Sequence, residues 1–161
     1  VRAAACEALG KHGEAAVPHL GALAKCLSDD DSDVRAAACT ALGKHGEAAV
    51  PHLEAVAGLL SDNSPSVRAA ACEALGKHGE ANGQTVAALV APLLKSSEAV
   101  AREMACQVFG KLGEAAEPHL GAVAERAELH LGGIATRLQD SDQNVRKAAY
   151  DALKSHIEAR R

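Results

Sequence analysis

Internal repetition constrains this chain more than any other feature. Residues 1–33 open VRAAACEALGKHGEAAVPHL and residues 34–66 open VRAAACTALGKHGEAAVPHL; the two units agree at 24 of 33 positions. A third copy opens at Val67, a weaker fourth at Ala101, and a fifth at Val145 that supplies only its first half. The five starts (1, 34, 67, 101 and 145) are 33, 33, 34 and 44 residues apart. A unit this short cannot enclose a core of its own. Copies must stack, so that each buries its apolar face against its neighbours. The 161 residues are therefore read as one array. Its repeats are 1–33, 34–66, 67–100 and 101–144, followed by a C-terminal capping helix over 145–161.

Each repeat reads as two helices. In the second, Asp33 is the expected N-cap, and Val34, Ala37, Ala38, Ala41 and Leu42 recur at helical spacing. Gly43 and Gly46 mark the end of that helix, where a left-handed residue is easiest for Gly. Glu47 opens a second helix with Pro51 in its first turn, where a missing N–H matters least. Leu53, Val56 and Leu60 form its apolar stripe. Ser61-Asp62-Asn63-Ser64-Pro65 is turn chemistry. Composition agrees: 37 residues are Ala, while Phe109 and Tyr150 are the only aromatics. Ala is the best helix former and lets backbones approach closely, whereas strands favour β-branched and aromatic residues. The expected fold class is all-α, a right-handed α-α superhelix (solenoid) of about four and a half stacked helix pairs.

On these residues the chain resembles the HEAT family, in particular short Ala-rich HEAT-like repeats of the phycobilin-lyase type. The carrying features are Val-Arg at the start of the first helix, Ala-x-x-Ala-Leu-Gly through it, and Val-Pro-x-Leu opening the second. The resemblance also implies an inter-repeat ladder in which an Asp stands six residues before the Arg: Asp29 and Arg35, Asp62 and Arg68, Asp140 and Arg146. An Arg–carboxylate contact there has directional specificity when bidentate. Ser96 stands six residues before Arg102, so the ladder is expected to break at Arg102 and weaken the junction of the third and fourth repeats. Ankyrin, tetratricopeptide and leucine-rich repeats fit less well, because their signature residues are missing.

Two irregularities interrupt the array. The fourth repeat carries an 11-residue duplication, HLGAVAERAEL (119–129) followed by HLGGIATRLQD (130–140). Eleven residues are nearly three helical turns, so both copies keep one apolar face with a rotation of roughly 20°. A second helix over 117–139, roughly 35 Å long, is expected, protruding from the stack or kinking at Gly132-Gly133. Pro92 is expected to bend the second helix of the third repeat. Both features read either as drift in a tolerant array or as a distinct binding surface. The missing initiating Met and the absence of an Asp upstream of Arg2 suggest a segment from the C-terminal end of a longer array.

Residues that resemble chemistry have simpler explanations. Cys6, Cys39, Cys72 and Cys106 share one slot of the first helix; Cys26 lies in a second helix. Neighbouring copies of one slot, about 10 Å apart, lie beyond disulfide reach of ~7 Å. Their expected role is that of small apolar core residues, and reduced thiols suit an intracellular, cytoplasmic setting. His12, His45, His78 and His156 share another slot, with Leu112 at the same place in the fourth repeat. That substitution suggests a packed ring whose polar edge finds a carbonyl or water. His19, His52 and His119 share a third slot. Rows in a solenoid diverge and no CxxC is present, so neither a metal nor any other cofactor is expected. HEAT enzymes of the deoxyhypusine hydroxylase type carry iron on His-Glu pairs; this sequence contains none. No phosphate-binding loop, GxSxG or HExxH occurs, so no catalytic residues and no enzyme are expected.

A net charge of -4 disfavours nucleic acid as a partner. No uncharged apolar run approaches 18 residues, so a membrane partner is not expected. What remains is a protein-binding scaffold or adaptor, with the row of second helices forming a concave surface for a partner helix or peptide. His19, Ala22, Cys26, His52, Ala55, Leu59, His119 and Ala122 are the expected outward residues. The alternatives are a bilin-lyase-like chromophore handler, which the resemblance implies, and a regulatory or targeting module of a larger protein.

Overall fold

The computed structural model describes residues 1–115 and 132–158. Among them there is no strand; every regular element is helical. The helices are α1 (Arg2–Leu9), α2 (Leu20–Cys26), α3 (Ser32–Leu42), α4 (Leu53–Gly58), α5 (Pro65–Val90), α6 (Ala99–Ala115) and α7 (Gln143–Glu158). Short 3-10 helices join them at Gly13–His19, Gly46–His52, Leu59–Ser61, Ala91–Lys95 and Arg137–Gln139. The chain divides into two compact units, Val1–Ala81 and Asn82–Arg161.

In the first unit, successive first helices lie side by side. Val34, Ala38, Ala41 and Leu42 of α3 are fully buried, as their spacing requires. The α1–α3 and α3–α5 contacts are close because glycine meets alanine there. A Cβ on Gly10 would lie 3.0 Å from the Ala41 Cα, and one on Gly43 would lie 2.9 Å from the Ala74 Cα. Gly43 itself is right-handed (φ −62°), so it is a packing glycine and not the left-handed stop expected of it. The positive φ belongs to Gly46 (47°) and its counterpart Gly13 (52°). The N-cap of α3 is Asp31, not Asp33: the Asp31 side chain accepts the Asp33 N–H at 2.9 Å.

The second half of each of the first two repeats comes in two pieces. Pro51 withholds a donor and lies in the 3-10 helix Gly46–His52, and regular α-helix begins only at Leu53. Leu53, Val56 and Leu60 then face the core, as do Leu20, Leu23 and Leu27 one repeat earlier. The third repeat lacks that proline. Its chain stays helical through Gly79 and is interrupted at Asn82 (φ −127°, ψ 31°).

The second unit is built on α6 and α7, which pack against each other around Val108, Phe109, Val145 and Ala149. Gly110 repeats the glycine–alanine contact, with Ala152 Cα 3.3 Å from the place of its missing Cβ. At Pro92 the α-helix ends at Val90 and continues as the 3-10 helix Ala91–Lys95. Most of the long helix expected over 117–139 lies outside the described residues. Residues 132–136 are helical, and Ile134 is fully buried.

Candidate functional site: the arginine–aspartate ladder and the second-helix face

Each loop before a first helix ends in a polar turn closed by one side chain. The carboxylate of Asp29 accepts the Asp31 N–H (3.0 Å), that of Asp62 the Ser64 N–H (2.8 Å), and that of Asp140 the Asp142 N–H (3.0 Å). Such turns hold the aspartate where a neighbouring arginine can reach it.

The arginines use their guanidinium in two directions. Arg35 Nη1 donates backward to the Asp29 and Asp30 carbonyls (2.8 and 3.1 Å). Its Nε and Nη2 donate forward to the two oxygens of Asp62, both at 2.9 Å. Arg102 does the same, with Nη1 on the Ser96 and Ser97 carbonyls and Nε and Nη2 on Asp140 at 2.7 and 2.8 Å. Arg2 makes the forward pair with Asp29 at 2.7 and 2.9 Å. Arg68 and Arg146 make the backward contacts, to the carbonyls of Asp62 and Asn63 and of Asp140 and Ser141.

The side-chain rung therefore joins an Arg to the Asp 27 residues later, or 38 across the longer fourth repeat. It does not join an Asp to the Arg six residues after it, which takes the backbone carbonyl instead. Arg102, where a break was expected, has both halves of its clamp. The equal Arg2–Asp29 and Arg35–Asp62 spacings were the sequence signal for this pairing.

Burial grades the rungs. The arginine side chain is 65% exposed at Arg2, 16% at Arg35 and 11% at Arg102. The forward arginine holds the carboxyls of Asp29 and Asp62 below the usual carboxylate range. Asp140 lies further below it, held by Arg102, by the Asp142 N–H and by Arg137. The guanidinium groups are raised in turn by their carboxylates.

The histidine slot shows increasing enclosure. His12 is exposed, His45 half-buried and His78 buried, with His78 Nε2 3.1 Å from the Leu42 carbonyl oxygen. Burial pushes the His78 ring below the usual histidine range, against the carbonyl contact. Four of the five thiols are buried. Burial raises Cys39 and Cys106 to about 12; burial, then the adjacent Cys26 thiol, raises Cys6 to about 11. These are weak nucleophiles. No group of three or more His, Cys, Asp or Glu is placed to hold a metal ion among the described residues.

On the second-helix face of the first unit, His19, Ala22 and Ala55 are exposed, and Cys26, His52 and Leu59 half-buried. Each lies one position from a buried leucine or valine stripe, so the patch is anchored by the core and carries no formal charge. His119 and Ala122 lie outside the described residues. In the second unit, a cleft of about 380 Å³ runs between α6 and α7. Gly110 and Ala152 line it, and Glu103, Lys111, Lys147 and Asp151 give it both signs of charge.

The family model for HEAT repeats matches residues 1–58 and 53–129. The chain belongs to the HEAT-repeat family. No curated protein sequence matches it significantly. Among solved structures it is similar to one described by "TOG-tubulin binding specificity promotes microtubule dynamics and mitotic spindle formation". The TM-score is 0.63 at 18% identity, covering 87% of this chain and 60% of that one. It is also similar to computationally designed armadillo repeat proteins for modular peptide recognition (TM-score 0.51, 17% identity, covering 94% and 74%). An engineered protein matches at TM-score 0.50 and 15% identity, covering 98% and 90%. At such identities the likeness establishes the fold: an all-α helical-repeat solenoid of the HEAT and armadillo kind. No helix among the described residues is long and apolar enough to cross a membrane.

Proposed function

We propose that this HEAT-repeat chain is a non-catalytic scaffold that binds a protein partner through the face formed by its second helices. The observation carrying the reading is the uncharged patch on α2 and α4. His19, Ala22, Cys26, His52, Ala55 and Leu59 recur there at matched positions of neighbouring repeats beside a buried stripe. A repeated row of small side chains suits a peptide or helix laid along it, read one repeat at a time. His119 and Ala122 extend the row in the sequence pattern. The designed armadillo proteins named above, made for modular peptide recognition, support the reading by fold. The raised thiols fit a reducing, cytoplasmic setting.

A peptide-display selection on the whole chain tests this. Enriched peptides are expected to lose binding at least tenfold in Ala22→Arg and Ala55→Arg, which place charge on exposed positions. Unchanged binding in both variants would overturn the assignment of the face. The narrower bilin-handling alternative rests on scaffold motifs alone. A spectral shift on adding a bilin would favour it; an unshifted spectrum removes it.

A further inference from the structure

The loop at 96 differs from its counterparts in one respect. Ser96 copies the local duties of Asp29, Asp62 and Asp140: its Oγ accepts the Glu98 N–H at 3.2 Å, and its carbonyl accepts Arg102 Nη1 at 3.0 Å. It lacks only the charge. In the first unit that charge acts on the arginine six residues later as well as on the rung, since Asp29 attracts Arg35 and Asp62 attracts Arg68 through space. The equivalent arginine here is Arg102. Ser96 is half-buried in a loop, one turn ahead of the 17-residue helix α6.

We propose that Ser96 is a phosphorylation site, whose phosphate supplies the anion that aspartate supplies in the other loops. A protein kinase would transfer the γ-phosphoryl group of ATP to Ser96 Oγ. The new bond is Oγ–P, the bond broken is that between the γ-phosphorus and ADP, and the hydroxyl proton is released. The product carries close to two negative charges beside the Arg102 guanidinium and the N-terminus of α6, both of which favour an anion. Serine at an aspartate position gives a loop that can be complete or incomplete on demand. This inference does not depend on the proposed partner face.

The test compares charge at 96 with charge at the next residue. The counterpart of Ser97 in the first loop, Asp30, forms no rung, so Ser97→Asp controls for charge alone. Ser96→Asp, and the intact chain carrying phosphoserine at 96, are expected to melt about 2–4 °C higher than the unmodified chain. Ser97→Asp should leave the melting temperature unchanged, and phosphatase treatment should reverse the gain at 96. Protein isolated from its source with phosphatase inhibitors should carry phosphate at Ser96 by mass spectrometry. Equal effects at 96 and 97, no shift at 96, or an unmodified Ser96 in the isolated protein would each overturn the proposal.

Discussion

Arg2 and Arg102 make the same two bonds to an aspartate in different surroundings, and burial decides what each contributes. Arg2 stands in water, where screening and side-chain entropy absorb most of the gain. Arg102 encloses an Asp140 side chain only 3% exposed, so its removal would strand a carboxylate with Arg137 alone nearby. Arg102→Ala is expected to cost about 2–3 kcal/mol in denaturant titration, and Arg2→Ala a small fraction of that. His78 gives a pH signature. Its ring is held below the ordinary histidine range, so between the folded and unfolded values the unfolded chain binds more protons. Stability is therefore full above the unfolded value and falls as pH drops through the folded one. The melting temperature should decline from pH 7.5 to 5.5, and His78→Leu, which imitates Leu112, should flatten that decline. The sequence announced the shared slots, because a repeat displays them by alignment. It did not announce the direction of each bond: six residues and 27 residues are equally regular spacings, and only packing separates a carbonyl partner from a carboxylate one.

Among the helices and their ends, two glycines of one terminus have different physical reasons, and substitutions separate them. Gly46 needs a left-handed backbone, and an added Cβ there would meet nothing within 4 Å, whereas Gly43 has an ordinary helical backbone and no room. Gly46→Asn should be nearly neutral, since Asn tolerates positive φ, while Gly46→Ala should cost ~1 kcal/mol. Gly43→Ala should cost about 1–3 kcal/mol, because the backbone of Ala74 must retreat, and Gly43→Asn should be worse. Urea denaturation of the four variants checks the ordering. Helix periodicity was legible in Val34, Ala38, Ala41 and Leu42. What propensity could not reveal was the 3-10 stretch before Leu53. The missing Pro51 N–H, which looked tolerable in a first turn, instead delays the α-helix until after the proline.

Across the chain, a repeat fold makes stability a sum of local contributions, and here those contributions are uneven. The first unit has two almost identical repeats, two clamped aspartates and a core of Leu42, Leu53, Leu60, Val67 and Leu75. The second rests on diverged sequence, with Val86, Val90, Val108, Ile134 and Val145 buried and one enclosed rung at Arg102–Asp140. Uniform repetition in the sequence suggested one array; the division at Ala81–Asn82 follows from the lost proline and the helix interruption at Asn82, neither of which disturbs the hydrophobic period. Cooperative units of this kind open with their own free energies. Native-state hydrogen exchange read by mass spectrometry should therefore show two protection levels, one for amides of α1 to α4 and another for those of α6 and α7. Arg102→Ala should lower the second level and leave the first in place. A common level for both, or a common fall in the variant, would mean that the chain opens as one cooperative body.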